Sequence, residues 1–252
     1  MRGSRPLPPV IGSAALGRAQ RAIVACTACP RLRVYCSEVA RTKRAAYRED
    51  VYWGKPVPGF GDPKARILLL GLAPAAHGAN RTGRVFTGDG TGGSGDFLMA
   101  ALHRAGLANR STSQRPDDGL VLRGVYIAAA ARCAPPANKP LPDELAACRP
   151  HLVAEVAALP RLQVVVALGK VAWDAWLALV GESAPLPRPR PVFGHGAVAR
   201  LAPEGTPGAA GLTLVGCFHP SRQNTHTGRV TAAMYDELLG RVCGLTGLGA
   251  GG

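Results

Sequence analysis

The sequence predicts one α/β domain, a three-layer α/β/α sandwich with a mostly parallel central sheet. Four short apolar runs bounded by turn residues are typical of strands buried on both faces: residues 67–72, 125–131, 164–168 and 212–217. Segments of helical period lie between and after these runs: 96–105, 142–159, 171–180 and 231–242. Strands that alternate with helices of this length indicate crossover connections and helices on both faces of the sheet. We therefore expect about four core strands.

Length and composition fit this single domain. The chain has 252 residues, of which 47% are hydrophobic, enough to bury one substantial core. Both ends lack periodicity, and the C-terminal end is rich in glycine. We expect a domain over residues 21–243, with flexible tails at 1–20 and 244–252.

The charge of the chain favours a polyanionic partner. Thirty Lys and Arg stand against 16 Asp and Glu, a formal net charge of +14. Such an excess is typical of nucleic-acid binding, and the alternative is a basic surface that serves only solubility. No apolar stretch approaches the roughly 20 residues of a transmembrane helix, and residues 1–10 lack a signal-peptide core. We expect a cytoplasmic protein without a membrane segment.

Four of the seven cysteines are spaced as metal ligands. Cys26 and Cys29 form a C-x2-C motif, and Cys133 and Cys148 form C-x14-C about a hundred residues later. Disulfides are rare in a reducing compartment, so the spacing indicates tetrahedral zinc, a 4Fe-4S cluster or unligated core cysteines. A zinc ribbon would pair two C-x2-C motifs, which the second pair does not provide. We interpret the other three as core residues: Cys36, Cys217 and Cys243.

Three loops should carry the chemistry: residues 73–95, 132–139 and 218–229. Each follows a predicted strand, and reactive groups in open parallel sheets lie beyond the carboxyl ends of the strands. The first loop has small residues that allow close approach of a ligand, but it lacks the Gly-Lys-Ser/Thr of a phosphate-binding loop. Phe86 is either a stacking platform or a plug beneath the loop. Asp89 is either a water-positioning carboxylate or a helix cap or turn residue.

The last of these loops contains His219. A lone histidine is more often structural than catalytic. This one, however, opens the polar and basic run HPSRQNTHTGR directly after a buried strand. We therefore predict a functional role for it.

Taken together, the motifs resemble those of the uracil-DNA glycosylase superfamily. They are GLAPAAHGANRTGRVFTGD, RCAPPANKP, HPSRQNTHTGR and the N-terminal C-x2-C, in that family's order and spacing over residues 26–242. The most similar branch is family 5, which is broad in specificity and carries a 4Fe-4S cluster. The resemblance implies a monomeric base-excision-repair enzyme that flips deaminated bases out of DNA and hydrolyses the N-glycosidic bond, leaving an abasic site. It also favours the cluster over zinc on the four spaced cysteines.

The resemblance assigns roles to residues of the three loops. The flipped base would stack on Phe86 in a pocket to which the first loop also contributes Gly71, Ala73 and His77. His219 would hydrogen-bond the negative charge on the departing base. The predicted DNA contacts are Arg81, Arg84, Ser221, Arg222, Gln223, Asn224 and Arg229. Within this set, residues 222–224 lie where the family inserts a loop into the duplex.

Two departures from the family pattern affect the chemistry. Ala73 replaces the carboxylate or amide that activates water in uracil-specific branches, which leaves Asn138 and Asp89 as polar candidates. Asn138 could hold water in line with the sugar, and an ionised Asp89 could stabilise an oxocarbenium ion. Ala129 replaces an Asn that binds the base edge. We therefore expect activity on hypoxanthine as well as uracil, because a lost amide removes a strong discriminator.

Two other functions are compatible with part of the pattern. A damage-binding protein without turnover would account for Ala73, and an electron carrier would account for the cysteines but not for the charge. We find no basic insertion bearing a His, the feature of the superfamily branch that bonds covalently to DNA.

Overall fold

A six-stranded sheet forms the centre of the protein in the computed structural model, which describes residues 14–202 and 208–248. Its strands are β1 (Phe60–Gly61), β2 (Ile67–Gly71), β3 (Val125–Ala129), β4 (Val164–Leu168), β5 (Val198–Arg200) and β6 (Thr213–Cys217). The order is β1-β3-β2-β4-β6-β5, with the inner four strands parallel and the two outer strands antiparallel to their neighbours. The predicted four strands are the inner four. The expected number was too low because β1 and β5 have only 2 and 3 residues and give no periodic signal.

The register of the parallel strands aligns their carboxyl ends. Leu69 lies opposite Ile127 on one side and Val166 on the other, and Val166 lies opposite Val215. At the carboxyl edge Gly71 pairs with Ala129. All three loops expected to carry chemistry therefore leave the sheet at the same edge.

Eight helices, counted over the described residues, accompany the sheet. They are α1 (Ala14–Val24), α2 (Pro30–Thr42), α3 (Ala79–Thr82), α4 (Ser94–Arg104), α5 (Pro142–Ala157), α6 (Lys170–Gly181), α7 (Arg222–His226) and α8 (Ala232–Thr246). Within the described residues no helix is both long and apolar enough to cross a membrane.

The two faces of the sheet carry separate hydrophobic cores. Ile67 and Leu69 pack with α4 and α8, whereas Leu68 and Leu70 pack with α5, α6 and Leu16 of α1. Successive side chains of a strand point to opposite faces, so one apolar run serves both cores. The predicted three-layer sandwich is confirmed.

The termini depart from the expected boundaries. Helix α1 begins at Ala14, inside the predicted tail 1–20, because Leu16 and Ile23 are fully buried. Helix α8 continues to Thr246, inside the predicted tail 244–252. The remaining tail residues, 1–13 and 249–252, lie outside the described part of the chain.

A buried ion pair joins the end of β3 to α5. Arg132 Nη2 lies 2.7 Å from Glu155 Oε2, and both side chains are 1% exposed. Glu155 Oε1 also accepts hydrogen bonds from the Tyr126 hydroxyl and the Gly59 backbone N–H, each at 2.9 Å. Since buried charges require such partners, this network fixes the start of the loop that contains Cys133 and Asn138.

Candidate active site

An open cavity of about 460 Å³ lies at the carboxyl edge of the sheet. Each of the three loops contributes side chains to its walls. The sequence-predicted residues that line it are Ala73, His77, Phe86, Asp89, Asn138, His219, Ser221 and Arg222. Ala129, at the end of β3, lines it as well. The fold thus brings together groups that are separated by up to about 150 positions in the sequence.

Phe86 forms an aromatic wall of the cavity above the end of β2. Its ring lies so close to Gly71 that a Cβ at that glycine would be 3.0 Å from Phe86 Cε2. Its backbone adopts φ of 50°, a left-handed conformation that is uncommon for a bulky residue. Its ring centroid lies 5.9 Å from that of His219, with 31° between the two planes. Phe86 therefore lines the cavity rather than lying wholly beneath the loop.

Asp89 lies between the first turn of α4 and the cavity. Its carboxylate accepts a hydrogen bond from the backbone N–H of Gly95 in the first turn of α4, as a capping residue does. It also lines the cavity. Burial, with a smaller contribution from Asp96, raises the pKa of Asp89 from 3.8 to about 6. A side chain at Gly78 would overlap Asp89 Oδ1, so this glycine provides the space that the carboxylate occupies.

His219 is a neutral imidazole at neutral pH, because burial lowers its pKa to about 4. It lies just beyond β6. Asn224 Nδ2 donates a hydrogen bond to the His219 carbonyl at 2.8 Å. Ser221 caps α7 by accepting the Asn224 backbone N–H at 3.3 Å. Ser221 and the Asn224 amide therefore stabilise the loop that positions His219.

Asn138 reaches the cavity from the second loop. It is exposed and lies at the end of the short turn Pro136–Asn138. Ala137 and Asn138 both have positive φ, 52° and 56°. Arg31 of α2 contacts the end of this loop, since its Nη2 donates to the Lys139 carbonyl at 3.4 Å, and its guanidinium is held by Glu144 of α5, to which Nε and Nη2 donate at 2.7 Å.

Two arginines expected to contact DNA instead make hydrogen bonds within the protein. Arg84 is 7% exposed and donates to Asp118 at 2.7 Å and to Thr87 at 2.9 Å. Arg81 donates to the backbone carbonyls of His77 at 2.8 Å and Gly88 at 2.6 Å. Both side chains therefore stabilise the first loop from within.

Among the predicted DNA contacts, the exposed basic residues lie on the last loop. Arg222 and Gln223 are exposed, and Arg222 Nη2 donates to the carbonyls of Asp89 and Thr91 at 3.2 Å. Arg229 is exposed too, with its guanidinium carbon 5.2 Å from the centre of the Phe218 ring. These side chains remain accessible, and Arg222 also lines the cavity.

The segment 44–53 completes the site and is missing from the sequence prediction. Tyr47 lines the cavity, and the guanidinium carbon of Arg81 lies 3.9 Å from the centre of its ring. Asp50 forms an ion pair with Arg81. The Tyr52 hydroxyl lies 3.0 Å from His77 Nδ1. The only sequence feature that could have indicated this segment is the presence of aromatic residues in a polar stretch without periodicity.

The four spaced cysteines lie near one another beside this site. Cys26 and Cys29 join α1 to α2, Cys133 follows β3, and Cys148 belongs to α5. Burial, followed by the negative charges of Cys148, Cys133, Glu144 and Cys26, raises the pKa of Cys29 to about 11. The N-terminal helices therefore meet the middle of the chain at these thiols.

A fifth cysteine adjoins this group. Cys36, expected to be a core residue, is buried and hydrogen-bonded to Cys133. The seven cysteines are all free of disulfides. Over residues 14–202 and 208–248, no three His, Cys, Asp or Glu side chains are arranged to hold one metal ion.

The fold and the cavity agree with one enzyme family. Residues 58–242 match the model of the uracil DNA glycosylase superfamily. That match covers well over half of the chain, so the protein belongs to the uracil DNA glycosylase superfamily.

Within the superfamily the chain is similar to type-5 uracil-DNA glycosylases. It is 49% identical to that of Mycobacterium tuberculosis (strain CDC 1551 / Oshkosh) over 90% of this chain and 80% of that protein. It is 50% identical to that of Thermus thermophilus over 90% of this chain and 96% of that protein. It is 43% identical to that of Pyrobaculum aerophilum over 87% of this chain and 88% of that protein. The predicted resemblance to this family is confirmed.

Proposed function

We propose that the protein is a DNA glycosylase of base excision repair that releases uracil from DNA. The observation that carries the proposal is the cavity at the carboxyl edge, where an aromatic ring, a carboxylate, an amide and an imidazole converge. The similar proteins are named uracil-DNA glycosylases. In the reaction, water adds to C1′ of the sugar, the N-glycosidic bond breaks, and free base and an abasic site result.

The ionisation states of the cavity suit an oxocarbenium-like transition state. The flipped base would stack on Phe86, and neutral His219 would donate a hydrogen bond to the negative charge that develops on the base. Asp89, with a pKa of about 6, is mostly ionised at pH 7.5 and would stabilise the positive sugar. Asn138 would hold the attacking water, because an amide orients water but does not take its proton.

Hypoxanthine is the second substrate that we propose. Ala129 lines the cavity, and its methyl group offers no hydrogen bond that would select one base edge. Release of hypoxanthine from a duplex, compared with release of uracil from a matched duplex, tests this. Rapid uracil release without any hypoxanthine release would refute it.

Duplex DNA would bind across the last loop. Arg222, Gln223 and Arg229 are exposed, Arg222 lines the cavity, and the net charge of +14 favours phosphate contacts. We propose Arg222 and Gln223 as the residues that enter the duplex, with Ser221 and Asn224 shaping the loop. The protein would act as a monomer on chromosomal DNA in the cytoplasm.

We further propose that Cys26, Cys29, Cys133 and Cys148 hold a 4Fe-4S cluster. Thiolates are the ligands such clusters require, and burial, followed by the charges of neighbouring thiols of this set, raises the pKa of Cys29 and of Cys148. The buried cation Arg132 also acts on Cys148, where it opposes the effect of burial on the thiol pKa. The cluster would tie the N-terminal segment to the Asn138 loop, a structural role. Iron and acid-labile sulfide in purified protein, lost in Cys148→Ser, would support it, and stoichiometric zinc would refute it.

A base-release assay tests the main proposal. Free uracil should appear from a uracil-containing duplex, whereas a damage-binding protein would retain the duplex without release. Single-turnover rates of Asn138→Ala and Asp89→Ala then assign the chemistry. A variant that keeps a near wild-type rate excludes that residue as essential.

A further inference from the structure

Tyr52 and His77 form a hydrogen-bonded pair behind the cavity. The Tyr52 hydroxyl lies 3.0 Å from His77 Nδ1, and the two rings are nearly perpendicular at 82°. Tyr52 is only 8% exposed, whereas His77 lines the cavity. The pair thus joins a buried hydroxyl to a ring that a bound base can reach.

The direction of this hydrogen bond follows from the neighbours of Tyr52. The backbone N–H of Arg44 hydrogen-bonds to the Tyr52 hydroxyl oxygen, an arrangement that favours donation of the hydroxyl proton to His77 Nδ1. Burial, together with the charges of Arg44 and Arg81, lowers the pKa of His77, so the ring is neutral. A neutral imidazole that accepts at Nδ1 carries its own proton at Nε2.

The orientation of His77 is held from the backbone side as well. Arg81 Nε donates to the His77 carbonyl at 2.8 Å, and Arg81 is itself held by an ion pair with Asp50. Among the described residues, His77 Nε2 has no hydrogen-bond partner of its own. The result is one oriented N–H donor that remains available to a ligand in the cavity.

We infer that Tyr52 sets the tautomer of His77, and that His77 Nε2–H hydrogen-bonds the exocyclic carbonyl oxygen of the flipped base, a role that rests on the function proposed above. Hydrolytic deamination replaces an exocyclic amino group with a carbonyl oxygen. Uracil and hypoxanthine therefore present an acceptor where cytosine and adenine present a donor. One oriented donor therefore favours both deamination products over both parent bases. This selectivity does not need the base-edge amide, which Ala129 replaces.

Tyr52→Phe tests the role of the hydroxyl while keeping the ring. Single-turnover release is measured from matched duplexes that contain hypoxanthine or unsubstituted purine, which has hydrogen in place of the carbonyl oxygen. We expect the preference for hypoxanthine over purine to fall about tenfold, the usual effect of one neutral hydrogen bond. Tyr126→Phe is the matched control, because it removes a buried hydroxyl bonded to Glu155 instead. An equal preference in Tyr52→Phe and the control would overturn the inference.

A double-mutant cycle separates the hydroxyl from general loosening of the loop. In His77→Gln the side-chain amide always supplies an N–H donor, because it has no tautomer for Tyr52 to set. Adding Tyr52→Phe to His77→Gln should therefore leave the base preference unchanged. If the second change lowers the preference as much as it does in wild type, Tyr52 does not act through His77.

Nitrogen-15 NMR of His77 gives a measurement that does not depend on activity. We expect the proton at Nε2 in the wild-type protein, and a mixture of tautomers in Tyr52→Phe. A wild-type proton at Nδ1 would overturn the inference even if bases are released. No release from any duplex would instead refute the proposed function, and the NMR result would still decide the tautomer.

Discussion

Asp89 should cost the protein stability at neutral pH. Its pKa is about 6 in the folded state against an ordinary value of 3.8, because burial disfavours the charged form. A shift of about two units at roughly 1.4 kcal/mol per unit gives about 3 kcal/mol of destabilisation once the group is ionised in both states. With respect to this group, the folded state is most stable below about pH 4, where Asp89 is protonated in both the folded and the unfolded state. About 3 kcal/mol of that stability is lost as the pH rises from about 4 to about 6.

Asp89→Asn removes the charge and retains an oxygen that can accept the Gly95 N–H. We expect the free energy of unfolding to rise by up to about 3 kcal/mol at pH 7.5, and by roughly half of that near pH 5. Base release should fall in the same variant, as expected where a functional group is held in an unfavourable environment. Guanidinium denaturation at several pH values, with wild type measured in parallel, gives the difference.

Asp118→Asn is a control for which we expect a change in stability of the opposite sign. Although burial opposes the effect, the hydrogen bond from Arg84 lowers the pKa of Asp118. That variant should therefore lose stability at pH 7.5. If Asp89→Asn is also less stable than wild type at pH 7.5, or if its gain does not depend on pH, burial of the carboxylate is not its dominant property.

Three further outcomes are expected. Gly78→Ala should lower base release, because the new methyl group would displace the Asp89 carboxylate. Gly240→Ala should leave base release unchanged, since a Cβ there meets nothing within 4 Å. Equal single-turnover rates in the two variants would contradict this prediction. Glu155→Gln should lower the free energy of unfolding by about 3–5 kcal/mol, because it leaves the Arg132 charge buried without its carboxylate partner. A loss below about 1 kcal/mol in guanidinium denaturation would show that other groups compensate the Arg132 charge. The single-turnover rate should fall as the pH drops below about 6, where Asp89 gains a proton, and a pH-independent rate down to about pH 5 would exclude its ionised form from the reaction.

Much of the site could be predicted because its residues follow buried strands. Phe86, Asp89, Asn138 and His219 all line the cavity, as the alignment of parallel strand ends requires. Arg84 departs from this pattern. Its surroundings come from residues about thirty positions away, such as Asp118, and no local pattern reveals such a partner.

The sequence by itself determined the inner four strands, the layers of helices, the basic charge and the three loops that form the cavity. Hydrophobic periodicity and turn chemistry are local, so they are visible in one chain. Only the tertiary structure decided that Tyr52 lies behind His77, that Cys36 adjoins Cys133 and that the Asp89 pKa lies near 6. These properties depend on burial and on partners distant in sequence, which exist only once the elements have packed.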